Sequence, residues 1–142
     1  MCKLSSQVKF NFIDNRVEVF GALDNAVETF LIEASGELVS RVARNSRVDT
    51  GQLKSSWQAD IRHGKATIGS PLENAIWEEF GTGIYADGGK GRQSGWLYED
   101  RDGVTHFTRG KTKNPHGLFY SFNQIKSKLI QRAYDIFKVE LK

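Results

Sequence analysis

The 142-residue chain is 39% hydrophobic and 26% charged, enough for one modest core and too little for two independently stable domains, so a single domain over 1–142 is expected. Its 20 basic and 17 acidic residues leave a formal charge of +3, and the pI of about 9.0 is too weak an imbalance to imply nucleic acid by itself. Cys2 is the single cysteine, which excludes an intrachain disulfide and a cysteine metal cluster. With no apolar signal core at the N-terminus and no run approaching ~20 apolar residues, a non-membrane protein kept in a reducing compartment is expected.

Val8, Phe10 and Phe12 alternate with polar residues, and Asp14-Asn15 punctuates the run before Val17 and Val19, which predicts an N-terminal strand or hairpin. A helix is expected over 23–45, because Ala26, Phe30, Ala34, Leu38 and Val42 recur at helical spacing while Glu28, Glu33, Glu37, Arg41 and Arg44 keep another face wet. Gly36 inside it fits either close packing or a tolerated exposed glycine. Asp49-Thr50-Gly51 reads as a cap and turn, with Ser55 and Ser56 in the helical turn that follows. Trp57, Ala59 and Ile61 form one face of a strand that turns at His63-Gly64-Lys65 and returns through Thr67-Ile68-Gly69.

Pro71 is placed to open a helix over 72–80 with Ala75, Ile76 and Phe80 inward, and Gly81-Thr82-Gly83 stops it. The stretch from Gly83 to Gly95 is so rich in glycine that a mobile or partner-ordered loop is expected there. Trp96-Leu97-Tyr98 and Thr105 to Thr108 flank the turn residues Glu99 to Gly103, a second hairpin. After a break at Asn114 to Gly117, a helix from Leu118 to about Lys138 carries Phe122, Ile125, Leu129, Ala133, Ile136 and Phe137 near helical intervals. The fold class is α+β: a small antiparallel sheet with an N-terminal and a C-terminal long helix covering one face, plus a Gly-rich loop.

Catalytic chemistry finds little purchase. Glu78 and Glu79 are adjacent on a helix and so diverge, which favours a helix-surface or interfacial charge role, and Ser55 and Ser56 have no visible base. His63, His106 and His116 follow no recognised zinc spacing, so neither a metal nor another cofactor is expected. Trp57 and Trp77 read as core aromatics, whereas Trp96 leaves burial and surface contact equally open. Lys90, Arg92, Arg101, Arg109, Lys111 and Lys113 form a positive subset that Asp87, Glu99, Asp100 and Asp102 dilute, so an acidic protein surface is at least as credible a partner as DNA.

Two segments carry a resemblance. Val48-Asp49-Thr50-Gly51-Gln52-Leu53-Lys54-Ser55-Ser56 resembles the P-V-D-T-G-x-L-x-x-S segment of the gene-product-ten-like family of tailed-phage head-tail connector, tail-completion and minor tail proteins, with Arg47 in place of the usual Pro. Trp77-Glu78-Glu79-Phe80-Gly81-Thr82-Gly83 is similar to that family's aromatic-x-E-F-G-T-G segment, although Asn74-Ala75 stands where Tyr-Ala is usual. Trp96, Tyr98, Gly103, Thr108, Pro115 and Phe119 also look like its later landmarks, so the likeness spans about 20–138. The resemblance implies a structural protein of virion morphogenesis in a phage or prophage particle. It would sit at the neck or upper tail, assemble in the bacterial host cytoplasm as a cyclic homo-oligomer, most simply a hexamer, and contact neighbouring neck, connector or tail proteins without catalysis. A small nucleic-acid-binding module using the loop and hairpin region 84–113 is the alternative.

Overall fold

The structure, a computed structural model, describes residues 13–47, 51–110 and 117–142. Four helices and two hairpins follow one another: α1 (Arg16–Asn45), α2 (Gln52–Ser56), β1 (Gln58–Arg62), β2 (Lys65–Gly69), α3 (Asn74–Phe80), β3 (Trp96–Glu99), β4 (Thr105–Thr108) and α4 (Gly117–Glu140). The class is the expected α+β with two long helices packed together.

Helix α1 begins seven residues before its expected start. The Arg16 amide donates to Asp14 Oδ1 at 3.1 Å, and Glu18 in the first turn opposes the helix dipole, so Asp14-Asn15 starts a helix where a hairpin turn was expected. The same Asp14 carboxyl grips the Arg16 guanidinium, which holds its pKa below the usual carboxylate range. Val17 and Val19, expected in a strand, are therefore helical; the strand expected at Val8 to Phe12 lies outside the described residues. Gly36 is exposed in open space, a tolerated glycine with no packing role.

The long helices run antiparallel. Asn45 donates to Ser121 Oγ at 2.8 Å and to Gln124 Oε1 at 3.0 Å, Lys128 meets Glu37 at 3.2 Å, and Arg132 forks onto Glu33 at 2.6 and 2.9 Å. The Arg132 guanidinium holds the Glu33 carboxyl below its ordinary range. Between these pairs Leu38, Val42 and Ile125 form the buried core, with Trp57, Ile68, Leu118 and Leu129 packed against it.

In place of one sheet there are two separate antiparallel ribbons, β1–β2 with Ala59 opposite Ile68 and β3–β4 with Leu97 opposite Phe107. Local alternation and turn residues specify each hairpin, but edge-to-edge pairing needs long-range register that neither encodes. Helix α1 covers β1 and β2, whereas β3–β4 has no comparable packing on either long helix among the described residues. Ala59, expected on the inner strand face, is exposed, while Trp57 and Ile61 are half-buried.

Candidate functional site

The two segments that carry the resemblance fold into different parts of the molecule. In the first, Asp49 and Thr50 lie outside the described residues, and Gly51 takes φ +78°, a left-handed turn that opens α2 with the Ser55 amide donating to its carbonyl at 3.1 Å. Trp57 packs on the core and donates its indole N–H to Ser46 Oγ at 2.8 Å, and Ser46 Oγ donates onward to the Val42 carbonyl at 2.7 Å. Trp57 and Ser46 thus tie the start of β1 to the C-terminal end of α1, while the cap expected from Asp49 and Thr50 lies outside the described residues. Ser55 and Ser56 spend their hydroxyls on carbonyls of their own turn, and Ser56 meets Ser70 at 2.6 Å.

The second segment corrects several expectations. Helix α3 starts at Asn74, two residues late, because Pro71 and Leu72 form a turn in which the Leu72 amide takes Ser70 Oγ at 3.2 Å and the Leu72 carbonyl accepts from Ala75. Of the residues expected inward only Ala75 is buried; Ile76 and Phe80 are more than half exposed, and Trp77 is 49% exposed instead of packed in a core. A helix of seven residues on the rim of a small body buries one narrow stripe, and α3 spends that stripe on Ala75.

Glu79, expected as a surface charge, is half-buried and caps another helix. The Leu118 amide donates to Glu79 Oε2 at 2.7 Å and the Phe119 amide to Oε1 at 3.1 Å, so one carboxylate accepts from two amides at the start of α4. A discernible sequence signal for this clasp is that the first turn of α4 has no acidic residue of its own. Its neighbour Glu78 faces Arg47 at 3.8 Å, which brings the residue just before the first segment to the second.

After α3 the backbone turns through Gly81 (φ +70°) and Gly83 (φ +61°) into two short 3-10 turns, Gly83–Tyr85 and Asp87–Gly89, inside the stretch expected to be a mobile or partner-ordered loop. The Ile84 amide donates to the Arg109 carbonyl at 3.0 Å, and a side chain at Gly83 would collide with that same carbonyl. Gly91 lies equally close to the Gly83 carbonyl, and Gly110 to that of Thr82. The glycines thus serve close backbone approach between this loop and the end of β4. Arg109 contributes its backbone here while its side chain is exposed.

The loop walls an open cleft of about 730 Å³ between α3 and the second hairpin, lined by Trp77, Glu78, Thr82, Arg92, Trp96 and Tyr98 among others. Arg92 lies over the half-buried Trp96 ring at 5.6 Å and donates to Ser94 Oγ at 3.0 Å, which fixes a flat cationic and aromatic wall. Two indoles, a phenol, one guanidinium and one carboxylate suit contact with another polypeptide. Beyond the cleft, Asp100 Oδ1 accepts from the Asp102 and Val104 amides while Oδ2 meets His106 Nε2 at 2.7 Å, and the His106 ring stacks on Tyr98. The hydrogen bond to His106, then that from Val104, hold the Asp100 carboxyl below its usual range.

Among the described residues, His63 occupies the first hairpin turn, and no group of three or more His, Cys, Asp or Glu is placed to hold a metal; His116, Lys111 and Lys113 lie outside them. No described helix is long and apolar enough to cross a membrane. Neither a family model, nor a curated protein, nor a solved structure matches the chain.

Proposed function

We propose that the chain is a structural subunit of a tailed-phage neck or upper tail, assembling as a ring of copies, most simply a hexamer, and performing no catalysis. The placement rests on the two segments and their family resemblance. The observation that carries assembly is the uncovered apolar surface. Among the described residues only seven hydrophobic side chains are buried: Ala26, Leu38, Val42, Leu53, Ala75, Ile125 and Ile136. Large ones stand exposed along both long helices, including Val17, Phe20, Ile32, Phe119, Ile130, Tyr134 and Val139. Monomers rarely leave contiguous apolar faces of this kind in water, and a subunit that completes its core against neighbours must. The aromatic cleft supplies a further face for a neck or tail protein.

Mass photometry and electron microscopy of the purified protein over a wide concentration range test assembly, and a reconstruction of the particle tests place and symmetry. Lateral copies around the central channel are expected. Density showing the chain as an isolated accessory removes the ring, and a monomer that binds nucleic acid with steep salt dependence, using Lys90, Arg92 and Arg101, replaces this reading with the nucleic-acid one.

A further inference from the structure

The antiparallel register of the long helices leaves one end of α1 without a helix partner among the described residues. Asn45 lies beside Ser121, Glu37 beside Lys128 and Glu33 beside Arg132, so each step up α1 matches one down α4, and Glu140, the last residue of α4, falls level with about Asn25. Residues Arg16 to Asp24 therefore extend past the end of α4, by about 13 Å at 1.5 Å per residue. From Ile13 to Gly21 every residue is exposed, with Val17 at 84% and Phe20 at 62%. Val19, Phe20 and Leu23 continue the stripe that lower down α1 carries Val27, Phe30, Ala34 and Leu38. The sequence thus prolongs a helix-packing face beyond the helix that covers it.

The opposite feature lies on α4. Its outer face, with Phe30 of α1, forms an open groove of about 440 Å³ lined by Phe122, Ile130, Ala133, Tyr134 and Phe137, with Tyr134 71% exposed. Lys126 stands in the groove and Lys138, with Asp135, at its end, while Glu18 and Asp24 flank the apolar stripe of the overhang. None of Lys126, Lys138, Glu18 and Asp24 is in an ion pair among the described residues. Acidic overhang and basic groove are complementary.

Resting on the ring reading above, we propose that the α4 groove receives the α1 overhang of a second copy of the chain. Helix α1 is continuous from Arg16 through Phe30 to Asn45, so the overhang cannot turn back onto its own groove, and the occupant comes from another molecule. Overhang and groove are different surfaces of one chain, so the contact repeated head to tail is heterologous, the type that generates rings when its rotation closes. A single overhang of nine residues on one groove is a small contact, so it needs repetition around a ring or a second interface to be stable.

The test places a photo-reactive residue in the groove, Tyr134→p-benzoylphenylalanine, in an equal mixture of isotopically heavy and light full-length protein under assembling conditions. Cross-linked peptides are then mapped by mass spectrometry. Heavy–light pairs joining position 134 to residues 13–24 are expected, with a covalent ladder on denaturing gels. Phe20→Asp is expected to remove the cross-link and to weaken assembly at least tenfold while the circular dichroism of the monomer is unchanged, since Phe20 is exposed in the monomer. Rings whose cross-links map elsewhere overturn the docking and leave the ring reading intact. Heavy–light dimers without a ladder keep the docking and overturn the cyclic reading. Cross-links to residues 1–12 within one copy assign the groove to the chain's own N-terminal segment and overturn the proposal.

Discussion

Replacing Glu79 by Ala should loosen α4 from the rest of the chain although the substitution lies in α3. The carboxylate accepts from the Leu118 and Phe119 amides at 2.7 and 3.1 Å. Removing a helix cap of this kind costs about 1 kcal/mol, and loss of the negative charge at the helix N-terminus adds up to about 1 kcal/mol. Discounting for partial exposure, Glu79→Ala should destabilise by roughly 1.5 kcal/mol, and Glu79→Gln, which keeps one neutral acceptor, by roughly half as much. For a chain of this size the Ala variant should melt roughly 4–6 °C lower. Glu78→Gln is the control: its partner Arg47 sits 3.8 Å away and half exposed, so the change should stay below about 0.5 kcal/mol. Urea denaturation followed by circular dichroism gives the energies, and hydrogen exchange at the Leu118 and Phe119 amides gives the location. A Glu79→Ala protein within about 0.3 kcal/mol of the parent, with exchange at those two amides unchanged, refutes the clasp.

Gly83→Ala should cost more than about 3 kcal/mol, because the new methyl meets the Arg109 carbonyl at a φ of +61°, whereas Gly51→Ala, at φ +78° in open space, should cost about 1–2 kcal/mol; thermal melts of the two separate steric collision from backbone preference. Acid should open the second hairpin before the helices melt. The hydrogen bond to His106 holds the folded Asp100 pKa below that of an unfolded aspartate, so its contribution is full above the unfolded value and is lost as pH falls through the lower folded value, which the Tyr98 and His106 ring resonances report by NMR. In the free chain the Ile84 amide, bonded to Arg109, should exchange slowly while residues 90–95 exchange fast; on assembly the fast ones should slow, and equal strong protection in both states removes the idea of a partner-ordered loop.

What could be read from the sequence was what local spacing encodes. The Ala26 to Val42 repeat locates α1, and the turn residues at His63-Gly64 and Asp100 to Gly103 locate both hairpins. Errors arise where two local signals coincide or where the cause is remote. Val17 and Val19 around Glu18 look like a strand, yet the Asp14 carboxylate at their head starts a helix, because an acceptor beside free amides outweighs a two-residue alternation. Trp77 on an α3 of seven residues stays 49% exposed at the cleft, which depends on what else the fold brings to that rim. Glu79 acts on amides 39 and 40 residues downstream, beyond the reach of any periodicity. Of the conspicuous residues, Trp77, Thr82, Gly83, Arg92 and Trp96 do gather around one cleft, whereas Gly51 and Trp57 belong to the core side of the molecule.

The antiparallel pairing of the first and last long helices also sets an order in time. Its ties, Asn45 to Ser121 and Glu33 to Arg132, join residues 76 and 99 positions apart. The chain between the end of α1 at Asn45 and the start of α4 at Gly117 takes about 4–14 s to synthesise at roughly 5–20 residues per second. For that interval the Leu38–Val42 face has no α4 to meet, although α2, the first hairpin and Trp57 arrive early enough to shield part of it. Closing so long a loop is slow relative to local hairpin formation, so nascent chains on neighbouring ribosomes carry their stickiest helix uncovered. Pairing between two α1 helices is then the expected misassembly, and the yield of correctly folded chain should depend on how fast α4 arrives.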